Sequence, residues 1–321
     1  GSEDTEIKAI WEKETYKINY ELNGGNNGND VVTNYREDTD TFALPTPNKD
    51  GYTFNGWYTN EHFTGNVETK VEKGNKENKN YYAKWEPTVY KVTYNLDGGK
   101  INQELTKEYT IESESFDLAI PTKKDYIFVG WSGSDITSIK TDITINKGSI
   151  GDKIYTANWK PIEYSIKYEL NGGALPTNAI NTFTANTKTF NLPTPTKKGY
   201  TFLGWYNDNK FTKDKIEQIK NGTRKDQTFY AKWELATYQI EYQLNGGIVE
   251  NDLVFNYTMN TDTFTLTNPV KEHYIFTGWT GSNGTKLNTK VSIVKGTTGN
   301  KEFIANYKQL DYKINYELNG G

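Results

Sequence analysis

The chain has 321 residues, 37 of them Lys or Arg and 41 Asp or Glu, for a formal net charge of −4, with no cysteine and two histidines. That balance, with no Lys/Arg run longer than a pair, gives a phosphate backbone little to hold, and the missing thiols exclude disulfide frameworks, thiolate zinc sites and cysteine nucleophiles. His62 and His273 are too few for a histidine metal cluster or a Ser/His/Asp triad, and no stretch approaches the ~20 apolar residues of a membrane helix. No enzyme, cofactor, metal, nucleic-acid partner or membrane-spanning segment is expected. The first residues lack the apolar core of a signal peptide, and Gly1-Ser2 reads as a tag remnant.

The string YKINYELNGG starting at Tyr16 returns in close variants at Tyr90, Tyr164, Tyr238 and Tyr312, at a constant step of 74 residues. GYTFNGWY around Tyr52 recurs at Tyr126, Tyr200 and Tyr274, and YYAKW ending at Trp85 recurs at Trp159, Trp233 and, with tyrosine, at Tyr307. The boundaries follow as repeats at 16–89, 90–163, 164–237 and 238–311. Residues 1–15 read as a tag and the closing strand (Ile7, Ala9, Trp11) of an upstream repeat, and 312–321 as the opening strand of a downstream one. After the central tryptophan, repeats one and three read WYTNEHFTGN and WYNDNKFTKD, whereas two and four read WSGSDITSIK and WTGSNGTKLN, so two subtypes alternate.

Within a repeat, Tyr16, Ile18, Tyr20 and Leu22 alternate with polar residues as in a half-buried strand, and Asn23-Gly24-Gly25 then turns the chain. A second strand over Val31 to Tyr35 pairs with the first as a hairpin. Thr41 to Leu44, followed by Pro47, predicts an extended connector pinned by one buried residue, Phe42. Tyr52 and Phe54 open a third strand, where Gly56 marks a bulge that brings Trp57 onto their face. Val67/Val71 and Ile216/Ile219, each followed by a glycine, predict a short helix in repeats one and three, whereas Ile143/Ile145 and Val291/Ile293 have strand spacing. Tyr81, Ala83 and Trp85 alternate along a closing strand. The expected structural core comprises Tyr16, Tyr20, Phe42, Tyr52, Phe54, Trp57 and Trp85, then Tyr126, Trp131, Trp159, Tyr200, Trp205, Trp233, Tyr274, Trp279 and Tyr307.

The ordered signature YxIxYxLNGG, LPTPxKxGYTFxGWY and YAKW resembles the Listeria-Bacteroides repeat, the B-repeat type found in internalin B and other bacterial surface proteins. That resemblance implies an α+β, mainly β, β-grasp-like unit of about four strands with a short helix, occurring as tandem stalk modules of secreted or wall-attached proteins. It carries no catalytic residues.

Other signals weigh less. Asn221, Asn256 and Asn283 head N-x-T sequons, but read as loop composition. Acidic and amide loops at Asn26 to Asp30 and Asn207 to Asn209 lack calcium-loop spacing. A Lys–Asn isopeptide bond needs a geometry that sequence does not give. The expectation is a monomeric stalk or adhesin spacer outside the cell, attached to the bacterial wall, whose partners are its neighbouring repeats. The alternative is that the repeats themselves bind a host protein or glycan. Four residues between each closing aromatic and the next tyrosine leave no room for free tumbling, which predicts an elongated rod.

Overall fold

In the first repeat the alternation of YKINYE gives β1 (Tyr16–Glu21), with Ile18 buried between exposed Lys17 and Asn19. β2 (Asn34–Tyr35) runs antiparallel to it and sets Tyr35 opposite Tyr16. It covers only the last two residues of the expected strand. The connector contains β3 (Phe42–Ala43); β4 (Tyr52–Tyr58) follows, then β5 (Lys70–Val71) and β6 (Lys79–Pro87). One sheet has the order β2-β1-β6-β4, and β3 and β5 form a separate two-stranded ladder. The first and last strands lie side by side in the centre and run parallel, Tyr20 opposite Tyr81.

This computed structural model describes residues 6–317 together with Asn319 and Gly320. It divides into two units, Gly1–Pro161 and Ile162–Gly321. Each unit holds two copies of the arrangement above; in the fourth repeat Gly284–Asn288 adds a fifth strand beyond Tyr274–Gly281. Every repeat closes its own core, around Trp57, Trp131, Trp205 and Trp279 respectively.

The expected bulge is present in all four copies. The β4–β6 register slips between Phe54 and Trp57, and the equivalent pairs slip at Phe128/Gly130, Phe202/Gly204 and Phe276/Gly278. The slip turns Trp57 onto the face of Phe54, with the two rings edge to face at 5.4 Å.

The expected helix is not there: among the described residues every regular element is a strand, so the fold is all β. Val67 and Val71 lie four apart, but the backbone groups around them are taken by flanking strands. Glu68 N–H donates to Trp57 O, Thr69 O accepts from Leu44 N–H, and Val71 pairs with Phe42. In repeat three Ile216 bridges Trp205 and Gln218–Ile219 pairs with Phe190–Asn191. Strand spacing in the other subtype is met by Thr144–Ile145 and Ser292–Ile293. The connector is likewise a strand, and its buried residue is Leu44 rather than Phe42, which is half-buried against Tyr35.

The described residues of the terminal segments form no strand. Ile7, Ile10 and Trp11 are about nine-tenths exposed, and Tyr312, Ile314 and Tyr316 are also exposed. A closing strand needs an opening and a central strand on either side, and none precedes Trp11 within these 321 residues. Gly1-Ser2 and Leu318 lie outside the described residues.

The Leu-Asn-Gly-Gly turn has a specific packing reason. A Cβ on Gly25 would stand 2.4 Å from Trp85 Cζ2, so the indole lies directly on the glycine. From there its Nε1–H donates to Leu22 O at 2.9 Å. Trp159 and Trp233 repeat the bond to Leu96 and Leu170, and Tyr307 keeps it through its hydroxyl to Leu244 O at 3.0 Å. Asn23 adopts φ 50° and donates Nδ2–H to Ala83 O, tying the turn to β6.

Candidate functional site

The central tryptophans Trp57, Trp131, Trp205 and Trp279 are enclosed, at most 2% exposed. Tyr16, Tyr20, Phe54, Trp85, Trp159, Trp233 and Tyr307 are half-buried around them. Tyr52, Tyr126 and Tyr200 are half-buried as well and Tyr274 is exposed, each beneath an ammonium group (Lys49, Lys123, Lys197, Lys271) 4.1–4.5 Å from the ring centre. More deeply buried than most of these are Tyr81, Tyr155, Phe229 and Phe303 on the closing strands. Their alternation with Ala83 and Trp85, and the same pattern in later copies, was the signal that could have found them.

The enclosed indoles are not equally satisfied. Trp57 and Trp205 donate Nε1–H to Pro45 O and Pro193 O at 2.7 Å, and Trp279 donates to Asn268 Oδ1 at 3.1 Å, whereas Trp131 Nε1 has no partner. Trp57→Phe breaks a buried bond and orphans Pro45 O; Trp131→Phe removes an orphan donor. The first substitution is expected to be about 1–3 kcal/mol more destabilising than the second, as measured by denaturant unfolding of the two variants.

Within each unit the two repeats are joined by more than chain continuity. In the first, Thr88 N–H donates back to Gly51 O at 3.0 Å, and Tyr52 OH donates to Glu112 Oε1 of the next repeat at 2.8 Å. That hydrogen bond holds the Tyr52 phenol above its ordinary pKa. Ile111 covers Gly51 so closely that a Cβ there would stand 2.5 Å from its Cδ1. In the second unit Ala236 N–H donates to Gly199 O, and Met259 takes the place of Ile111 against Gly199.

Above the first of these joints lies an open cleft of about 690 Å³. Its walls carry the half-buried rings of Tyr52, Phe63, Tyr82 and Trp85, with Glu21, Glu61 and Glu112 at the rim. Phe63 is held at φ 53° by an Asn60 side chain whose Oδ1 accepts from His62 N–H, Thr64 N–H and Thr64 Oγ1. Its ring stands edge-on to Tyr58 at 5.8 Å, and Lys84 Nζ covers Tyr58 at 5.5 Å. Repeat three rebuilds this corner: Phe211 at φ 56° stands edge-on to Tyr206 at 5.4 Å, under Lys232. There Asp208 replaces Asn60, and the Thr212 N–H, with those of Lys210 and Lys213, holds its carboxyl below the ordinary range. In repeats two and four the corner is closed by an asparagine. Asn158 Nδ2 donates to Gly130 O, Ser132 Oγ and Thr156 O, and Asn306 makes the matching three bonds. Among the described residues no group of three or more His, Cys, Asp or Glu side chains is placed to hold a metal ion, and no helix is long and apolar enough to cross a membrane.

Tandem all-β repeats with separate cores and bonded joints within each unit define the class: a repeat-domain protein. The profile of the Listeria-Bacteroides repeat domain matches residues 16–84, 90–154, 164–232 and 238–306, and the chain belongs to that family. It is 32% identical over 282 residues, 87% of this chain and 31% of the relative, to a protein named as a Gly-rich membrane protein of Evansella cellulosilytica. A second Evansella cellulosilytica protein, named as a membrane protein, is 31% identical over 74% of this chain and 35% of its own length. Internalin H of Listeria monocytogenes is 29% identical over 106 residues, 33% of this chain and 19% of that protein. The chain thus spans about a third of the length of the first two relatives.

Proposed function

We propose that this chain is a non-catalytic segment of the stalk of a bacterial cell-surface protein or adhesin, outside the cell and attached to its wall, where it holds a functional domain away from the surface. The bonded linker carries this reading. Of the residues between Trp85 and Tyr90, Thr88 is tied back to Gly51, and Ala236 is tied to Gly199 in the same way. A linker with no free length transmits orientation and distance instead of letting repeats tumble. Membership of the repeat family and the likeness to Internalin H support a surface location. The parallel β1–β6 pair at the sheet centre supports a grasp-like description in which the β3–β5 ladder stands where a helix was expected.

Small-angle scattering tests the spacer. Four in-line repeats of 74 residues, each roughly 30 Å across, should give a monomeric particle on the order of 110–130 Å long. A globular particle with a radius of gyration of about 20 Å would end the proposal. A second reading, weak multivalent adhesion to a host protein or glycan, is favoured by one observation, the aromatic cleft of repeat one, whose Tyr58–Phe63 ring pair recurs as Tyr206–Phe211 in repeat three.

A further inference from the structure

We infer that the aromatic corner of repeats one and three is a binding site for neutral saccharide chains. The inference gives a chemistry to the adhesive reading and does not depend on the spacer reading, which scattering tests separately.

The first support is strain. A left-handed backbone suits glycine, and a phenylalanine there is an outlier that the surroundings must enforce. Phe63 and Phe211 both stand there, each locked by a side chain that gathers the N–H groups of its own loop. Each ring is half-buried, one edge packed on Tyr58 or Tyr206 and the remainder left open. What the strain achieves is to stand an aromatic face beside Tyr82 in the first repeat, where Tyr52 and Trp85 complete the cleft.

The second support is what the two odd repeats share and what they do not. The rings recur as Tyr200, Phe211, Tyr230 and Trp233, and Glu21 recurs as Glu169. Glu61 and Glu112, however, become Asn209 and Asn260. A carboxylate and a carboxamide both offer an acceptor oxygen but differ by a full charge. A site for a cationic peptide would need the charge; a site for hydroxyl groups needs only the acceptors. The ring surfaces of Phe63 and Tyr82, beside oxygen acceptors and the Lys49 ammonium that covers Tyr52 and recurs as Lys197, fit the C–H faces and hydroxyl groups of a pyranose ring. The even repeats have Thr137 and Thr285 where the phenylalanines stand, and Asn158 and Asn306 fill the corner with internal hydrogen bonds.

The test is a titration of the whole 321-residue chain with neutral hexasaccharides of β-linked glucose, N-acetylglucosamine, galactose and mannose, followed by amide NMR shifts. Saturable shifts are expected at Phe63, Thr64 and Tyr82 and at Phe211, Thr212 and Tyr230, with Thr137 and Thr285 unmoved. Phe63→Gly with Phe211→Gly should weaken binding about tenfold or more while leaving the melting temperature unchanged or higher, since glycine relieves the strain. The inference is overturned if no saccharide gives saturable shifts at about 10 mM, well above a Kd of about 1 mM. It is equally overturned if the glycine variant binds as the parent does, if shifts centre on the even repeats, or if hexalysine and not the saccharides occupies the corner.

Discussion

Replacing Trp57 by alanine is expected to lower the stability of its repeat by about 3–5 kcal/mol. The indole is 1% exposed and has Tyr20, Phe54 and Tyr81 around it at ring distances of 5.0, 5.4 and 6.5 Å. Burying a surface of that size is worth roughly 4–6 kcal/mol at ~25 cal/mol/Å², and the loss includes the bond to Pro45 O. The surrounding rings belong to the paired strands β1, β4 and β6 and cannot collapse into the cavity without breaking the sheet. Because each repeat has its own core, the variant should show one early unfolding transition for the first repeat, with the repeat containing Trp131 losing only its joint contacts and those containing Trp205 and Trp279 melting as before. Calorimetry resolves this. A variant that melts like the parent would mean that Trp57 is not a core residue, and would return it to the candidates for ligand contact.

What was legible in the sequence was whatever the backbone period dictates. Alternation in Tyr16 to Leu22 gave β1, and a glycine between Phe54 and Trp57 gave the bulge, because a parity change leaves a visible mark in the order of aromatic residues. The strand in place of the expected helix has the opposite cause. Val67 and Val71 are four apart, a spacing that a helix turn shares with an interrupted strand. Only tertiary pairing with Trp57 and Phe42 decides between them. Tyr52 is aromatic in every copy and half-buried, and its ring lies under Lys49 with its hydroxyl reaching Glu112 of the next repeat. That role involves a neighbour 60 residues away and leaves no local pattern. The aromatic corner was half visible: the alternation of subtypes stood in the sequence, but the positive φ of Phe63 and the closing of the even repeats by Asn158 and Asn306 are three-dimensional facts.

Alkaline pH should unfold the repeats unequally, the third least readily. Burial pushes the phenols of Tyr20 and Tyr81 in repeat one up to about 12, and likewise Tyr155 in repeat two, Tyr168 in repeat three and Tyr242 in repeat four. An acid whose pKa is higher folded than unfolded keeps its proton in the native state after the unfolded chain has lost it. Its contribution is therefore full below pH about 10 and is lost as pH rises through about 12. For a side chain as enclosed as Tyr81 the loss approaches about 1.4 kcal/mol per pH unit across that window, and it is smaller for the half-exposed Tyr20, whose phenolate water screens. Repeat one has Tyr35 raised besides, repeat two Tyr94 and Tyr109, and repeat four Tyr257 and Tyr307, whereas repeat three has Phe183 and Phe229 in place of Tyr35 and Tyr81. Hydrogen-exchange protection followed from pH 9 to 12 should thus fail last in Glu163–Glu169 and Gln227–Leu235, after β1 and β6 of the first repeat. Tyr81→Phe should move the first repeat toward the behaviour of the third. An order of loss unrelated to the buried phenols, or a Tyr81→Phe variant with an unshifted alkaline transition, would show that something other than tyrosine ionisation opens the sheet.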